Sequence, residues 1–351
     1  MARDLKGGSG ATKEAAVTQK YSGVVAGAML AAALTTGCAL AADEDGERFR
    51  QAIPQPETVA VAGPENAAEG STTASTRAAA ETPWDSGPYA VYYAFTRHVR
   101  DGVNAVTAGV LGAVWVIVHT QPTSVSDNQA VWGPHTDALE PATWQFRVVE
   151  VADDVYEYSL EGRPKNSSDA FQTVLSGLGY GRAHPSHGDG HFEIDLDVAH
   201  ALDPLAWADG SGSVTITHDL PRTISEDLFS GARAITAEVQ PTAQQASWSA
   251  TSLRSEDGSG MLLVTAEGDL DEDAATAAEQ VQIASQWQQD GAGRADIALS
   301  GGEVPADIRE VSAVECWGAD FYRTYYADSV DYAPIEGEAG ACVFADPVDA
   351  S

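Results

Sequence analysis

A mainly β fold is what this 351-residue sequence predicts: an antiparallel meander curled into a barrel or half-barrel, with one long N-terminal helix packed on its concave side. Three observations lead there. From Trp144 onward, apolar residues recur at every second position in short runs, the period of a half-buried strand. Turn signals such as Gly188-Asp189-Gly190, Asp257-Gly258 and Asp290-Gly291-Ala292-Gly293 separate the runs, with no helical spacer between them. Ahead of them, one stretch repeats its valines at helical spacing.

Residues 1–37 have the layout of an export signal. Arg3, Lys6, Lys13 and Lys20 precede the apolar run 24–34, and the small residues Thr35, Thr36 and Gly37 lead to Cys38. An apolar run of about 11 residues is too short for a permanent transmembrane helix and suits a cleaved signal. Gly37-Cys38 after this run resembles the lipobox of bacterial lipoproteins, with Thr35 where a leucine is usual. The resemblance implies that Cys38 becomes the first residue and carries diacylglycerol and palmitate-type acyl chains. Several such chains, at about 0.8 kcal/mol per buried CH₂, hold a protein on a bilayer. Ala39 follows the cysteine in place of aspartate, which by the family rule implies the outer membrane, with the chain facing the periplasm or the cell surface.

Residues 38–85 read as an acidic flexible tether, with Asp43, Glu44 and Asp45, Pro54, Pro56 and Pro64, and the Ser/Thr/Ala-rich stretch 70–81. Within it, Thr58–Ala62 is apolar enough to add an edge strand. Residues 86–143 read as a helix and a connecting loop. Val99, Val103, Val106, Val110, Val114 and Ile117 share one face of a helix over 88–119. The stretch 102–118 is apolar nearly all round, yet short for a span and flanked by Arg97, Arg100 and Asp101, so burial against a sheet is the expectation. Residues 144–348 form the β domain. Its strands are expected at 144–149, 156–160, 171–181, 191–198, 213–219, 233–240, 246–254, 260–267, 279–288, 294–300 and 311–317. No internal repeat is visible.

The formal charge of −33 comes from 52 acidic and 19 basic residues. The leader 1–37 holds four cations and two acids, a net +2, so the remainder carries −35. Such a field repels phosphate backbones and excludes nucleic acid as a partner. It suits a solvated surface whose self-repulsion is screened by salt.

Cys316 and Cys342 are the only cysteines after Cys38, and in an oxidising compartment the pair is expected to form a disulfide. Asp269, Asp271 and Asp273, with Glu279 beyond, offer oxygen ligands in the manner of a Ca²⁺ loop. Ala274 and Gln280 depart from the EF-hand pattern, and an acidic hairpin loop is the plainer reading. His184, His187 and His191, near Asp189 and Glu193, could gather a transition metal, or simply form a polar hairpin tip. No nucleophile elbow, P-loop, dinucleotide fingerprint or His-Glu-x-x-His motif occurs, so no catalytic residue is assigned.

The stretches Ala130–His135, Trp144–Val148, Leu160–Pro164, Gln286–Asp296, Glu315–Trp317 and Ala341–Phe344 resemble those of uncharacterised bacterial lipoproteins. A meander plus helix behind a lipobox is also similar in outline to Lol-type and mycobacterial lipid-carrier half-barrels, a likeness of fold alone. The resemblance carries no known activity; the expectation for the chain is a non-catalytic envelope role, binding or carrying an apolar ligand, with a purely structural or protein-interaction function as the alternative. A hydrolase is the weaker alternative.

Overall fold

The structure is a computed structural model that describes residues 44–64, 89–180, 188–207, 211–220, 232–242, 246–269, 277–302, 304–305 and 307–348. Its helices are α1 (Glu44–Gln51), α2 (Val91–Val118) and α3 (Leu196–Leu202), followed late in the chain by a short 3-10 turn at Ala339–Ala341. The strands are β1 (Ser124–Ser126), β2 (Gln129–His135), β3 (Ala142–Ala152), β4 (Val155–Pro164), β5 (Gln172–Tyr180), β6 (Gly188–Asp195), β7 (Ser213–Leu220) and β8 (Arg233–Gln240). They continue as β9 (Ser247–Arg254), β10 (Gly260–Gly268), β11 (Glu279–Trp287), β12 (Gly293–Gly301), β13 (Glu310–Trp317), β14 (Arg323–Asp328) and β15 (Glu336–Gly337).

All pair antiparallel in sequence order, forming one 15-stranded meander. The sheet is open, with β1 and β15 at its two ends. Those edge strands are only three and two residues long, which limits the unpaired backbone offered to another chain. The strands alternate as period-two sequences should: in β6 Phe192 and Ile194 are buried while His191 and Glu193 are exposed.

Neighbouring hairpins repeat one device that the sequence reading overlooked. Asp257-Gly258-Ser259-Gly260 and Asp290-Gly291-Ala292-Gly293 make the same turn, with Gly258 at φ 87° and Gly291 at φ 88°. In each, the aspartate Oδ1 accepts the backbone N–H two residues on, at 2.9 Å and 3.0 Å. The second glycine faces a tryptophan on the next strand, Gly260 opposite Trp287 and Gly293 opposite Trp317. A Cβ at Gly293 would stand 2.4 Å from the Trp317 ring, so the absent side chain is what admits the indole. Each indole N–H then closes the turn, Trp287 to the Gly258 carbonyl at 3.2 Å and Trp317 to the Gly291 carbonyl at 2.9 Å.

Residues 44–64, expected within a flexible tether, are instead folded. Phe49, Ala52, Ile53, Val59, Val61 and Ala62 are buried in the main core cluster. Asn104 of α2 brackets Val61, accepting its N–H at 2.7 Å and donating to its carbonyl at 3.0 Å. The Ser252 hydroxyl of β9 accepts the Ala62 N–H at 2.9 Å. Few apolar residues occur here, but nearly all are buried, and side-chain amide and hydroxyl groups satisfy a backbone that has no ladder. The meander also starts earlier than expected, since β1 and β2 occupy what read as a connecting loop.

Helix α2 runs 28 residues, about 42 Å at 1.5 Å per residue. It is long and apolar enough to cross a membrane by composition, yet Val103, Val106, Val110, Leu111, Val114 and Val118 belong to the same core cluster as Phe146, Leu175, Phe192 and Ile216 of the strands.

Candidate functional site

Helix α2 has no cap of its own. Ala90 precedes it with no side-chain hydrogen bond, and its first turn holds no acidic residue. The cap comes from 224 residues away: Glu315 of β13 accepts the Val91 N–H at 3.0 Å and the Tyr92 N–H at 2.6 Å. These are two of the donors that a helix start leaves unpaired, and a carboxylate also favours the positive end of the helix dipole. Arg323 of β14 donates from Nε to Glu315 at 2.6 Å and from Nη1 to Glu336 of β15 at 3.2 Å. Burial pushes the Glu315 carboxyl above its usual range, against the pull of the Tyr92 N–H and Arg323. Beside this clamp Tyr93 stacks on Phe321 at 4.2 Å, and the Ala90 N–H bonds the Phe321 carbonyl at 3.0 Å. Glu315 and Arg323 gave no sequence signal, because a cap supplied from a distant strand has no local motif.

The Cys316–Cys342 disulfide is formed, with Cα atoms 5.4 Å apart. Closing a loop of this separation contributes about 3.5 kcal/mol on the chain-entropy account. It also starts a strap that runs across β12 and β11. The strap is tied at β12 by Arg294, whose Nη1 donates to the Phe344 and Ala345 carbonyls at 3.2 Å and 2.7 Å. At β11 the Gln286 amide donates to the Asp346 carbonyl at 3.0 Å. The anchor residues Cys316, Arg294 and Gln286 stand in one cross-strand row, which continues to Met261 and Leu253.

Where the strap reaches β10, it borders a surface cleft of about 690 Å³ lined by Leu253, Met261, Trp287, Phe344, Pro347, Val348 and the turn residues Ser255, Asp257 and Ser259. Its carboxylate, Asp257, accepts from the Ser259 hydroxyl at 2.6 Å and the Ser259 N–H at 2.9 Å, and these bonds hold it below the usual range. The lining offers apolar contact, amides, hydroxyls and the Asp257 carboxylate, groups that suit the binding of a ligand.

Of the expected metal ligands, Asp269, Glu279 and His191 lie among the described residues. Asp269 directly follows β10, and Glu279 opens β11 opposite Gly268, largely buried. Asp271 and Asp273 lie outside the described residues, as do Cys38, His184 and His187. His191 is exposed on β6. Among the described residues, no group of three or more His, Cys, Asp or Glu side chains is placed to hold an ion. Compared with known proteins, the chain matches no family model, no curated protein and no solved structure.

Proposed function

We propose that this chain is an exported envelope lipoprotein, held on the outer membrane through acylated Cys38, that works by contacting another envelope component rather than by catalysis. In this reading the sheet is a half-barrel, with α2 and residues 44–64 filling its concave side. One observation carries it: Phe146, Leu175, Phe192, Ile194, Ile216 and Ile235 have no exposed surface and share one cluster with Phe49, Val110 and Val114. The space a carrier would give to its ligand is taken by the chain itself.

The curl has separate support. Near its start, Thr96 of α2 bonds Ser285 of β11 at 2.7 Å, with Glu315 of β13 at its N-terminus. Just past its other end, the Thr120 carbonyl accepts from the Trp132 indole of β2 at 3.1 Å. Eleven strand intervals at about 4.8 Å would separate β2 from β13 by roughly 53 Å if flat, more than the helix spans.

Native mass spectrometry of protein extracted from membranes tests the reading. The expected mass is the chain from Cys38 plus covalent acyl groups, with no further lipid, and Cys38→Ser should be found in the soluble fraction without them. An apolar molecule retained at one per chain would make it a carrier. Unacylated wild type, with Cys38→Ser still on membranes, would remove the anchor.

A second reading places an apolar ligand in the surface cleft beside Trp287 and Phe344. It predicts that such a ligand changes Trp287 fluorescence in the wild type and not in Met261→Glu.

A further inference from the structure

Two apolar side chains stand almost wholly in solvent on ordered turns: Leu139 is 96% exposed and Leu205 is 92% exposed. The turns are built alike. In Asp137-Ala138-Leu139, between β2 and β3, Asp137 Oδ1 accepts the Leu139 N–H at 3.2 Å. In Asp203-Pro204-Leu205, after α3, Asp203 Oδ1 accepts the Leu205 N–H, also at 3.2 Å. A carboxylate that accepts a backbone N–H two residues on fixes a turn. The rest of each turn is tied as well. Lys165 Nζ donates to the Asp137 and Ala138 carbonyls, each at 2.9 Å, and Asp203 Oδ1 also accepts the Ala206 N–H at 3.0 Å.

The two turns adjoin. The Glu140 carboxyl is pushed up chiefly by burial, then by Asp137, with Asp203 adding to the rise and the Trp144 indole opposing it. Beneath both lies one small cluster of Ala142, Val174, Ala199 and Leu202, against which Trp144 and Trp207 pack. A single exposed leucine needs no explanation, but two on adjoining, tied turns make a pair of anchors.

Charge limits what can seat on them. Asp137 and Glu140 flank Leu139, with Lys165 tied to the same turn and Asp203 buried, and the chain as a whole carries −33, so a second copy or an anionic bilayer is repelled. Position limits it further. Arg48 of α1 bonds Glu150 at the far end of β3 from Ala142, eight residues or about 26 Å along the strand. Glu44 is only six positions after Cys38, a reach of at most about 21 Å. With Cys38 in a bilayer, the leucines sit at the end of β3 farther from that anchor.

We propose that Leu139 and Leu205 dock a protein partner that offers an apolar cleft rimmed by lysine or arginine. Only the orientation relative to the membrane rests on the lipoprotein reading. A photo-crosslinking amino acid is placed at 139, at 205 and, as control, at Val151, which is 49% exposed at the opposite rim. Adducts formed in cells are identified by mass spectrometry, and the identified partner is purified and titrated. Positions 139 and 205 should give the same adduct, which 151 does not. The Leu139→Ser/Leu205→Ser double variant should melt like wild type and bind the partner at least 30-fold more weakly. Binding should also weaken with NaCl, as opposite charges are screened. Adducts only to lipid or to another copy of the chain, no adduct, or undiminished binding by the double variant would each overturn the proposal. Cys38→Ser should bind the purified partner as wild type does, so failure of the anchor leaves this result standing.

Discussion

Glu315 shows how one residue can hold distant parts of the chain together without any local sign of doing so. Its neighbours, Val314 and Cys316, read as an ordinary strand, and nothing near position 315 points to position 91. The fold makes it the cap of α2, and burial raises its carboxyl above the usual range. The sign of the consequence follows. A carboxyl whose pKa is higher in the folded than in the unfolded chain contributes most to stability below the unfolded value, and that contribution is lost as pH rises through the folded value. Glu315→Gln, which keeps an acceptor for one helix N–H, should remove this titration. Urea unfolding from pH 4 to 7 should show the wild type losing stability with rising pH relative to the variant. Parallel curves across that range would mean that Glu315 does not titrate as its burial implies. The cysteines were legible for the opposite reason: two residues of rare type, in a chain read as exported, have one pairing, and the structure forms it.

At the scale of elements the sequence was most readable where burial is one-sided. Nine of the strand runs read from residue 171 onward match observed strands to within a few residues, because alternation records which face meets the core. Helix α2 was legible from its valines at intervals of three and four. What escaped was structure without periodicity. Residues 44–64 contribute Phe49, Val59 and Val61 to the core from a short helix and an irregular segment, and composition alone read them as tether. The Asp-Gly-x-Gly hairpins were each recognised as turns, but their identity as a repeat lies in a tryptophan roughly 26–29 positions later, joined only by register. For α2 itself the expectation is direct. Val106 is 4% exposed and sits in the main cluster, so Val106→Asp places a charge where no partner is available. The cost should be at least about 3 kcal/mol, a large fraction of the roughly 5–15 kcal/mol that holds an ordinary domain folded. Far-UV circular dichroism with thermal melting should find the variant unfolded or melting far below wild type. Val106→Ala, a cavity without a charge, should cost roughly 1–3 kcal/mol and remain folded.

For the whole molecule, sequence order predicted sheet order: runs joined by short turns without helical spacers fold as a meander, and all the strands pair with their chain neighbours. Whether the ends meet was not legible, because closure depends on tilt and stagger accumulated over many strands. The sheet stays open. The property that belongs to no part of the chain is its charge. At −33, with Lys165 the sole lysine after Cys38, repulsion acts between acidic groups that far outnumber the cations. The screening length is about 10 Å at 0.1 M salt and about 3 Å at 1 M, so added salt should relieve a strain that the unfolded chain, being more expanded, feels less. The melting midpoint should therefore rise by several degrees between 0.05 M and 1 M NaCl at pH 7. Near the isoelectric point of 4.3, where net charge vanishes, the same salt step should do little. CaCl₂ at matched ionic strength separates screening from binding. If Asp269, Asp271, Asp273 and Glu279 take up calcium, it should raise the midpoint beyond the NaCl value, and Asp271→Ala should lose only that excess. Equal midpoints in the two salts would assign the acidic loop to the general surface. A midpoint indifferent to NaCl at pH 7 would mean that the acidic groups are spaced too widely for their repulsion to matter.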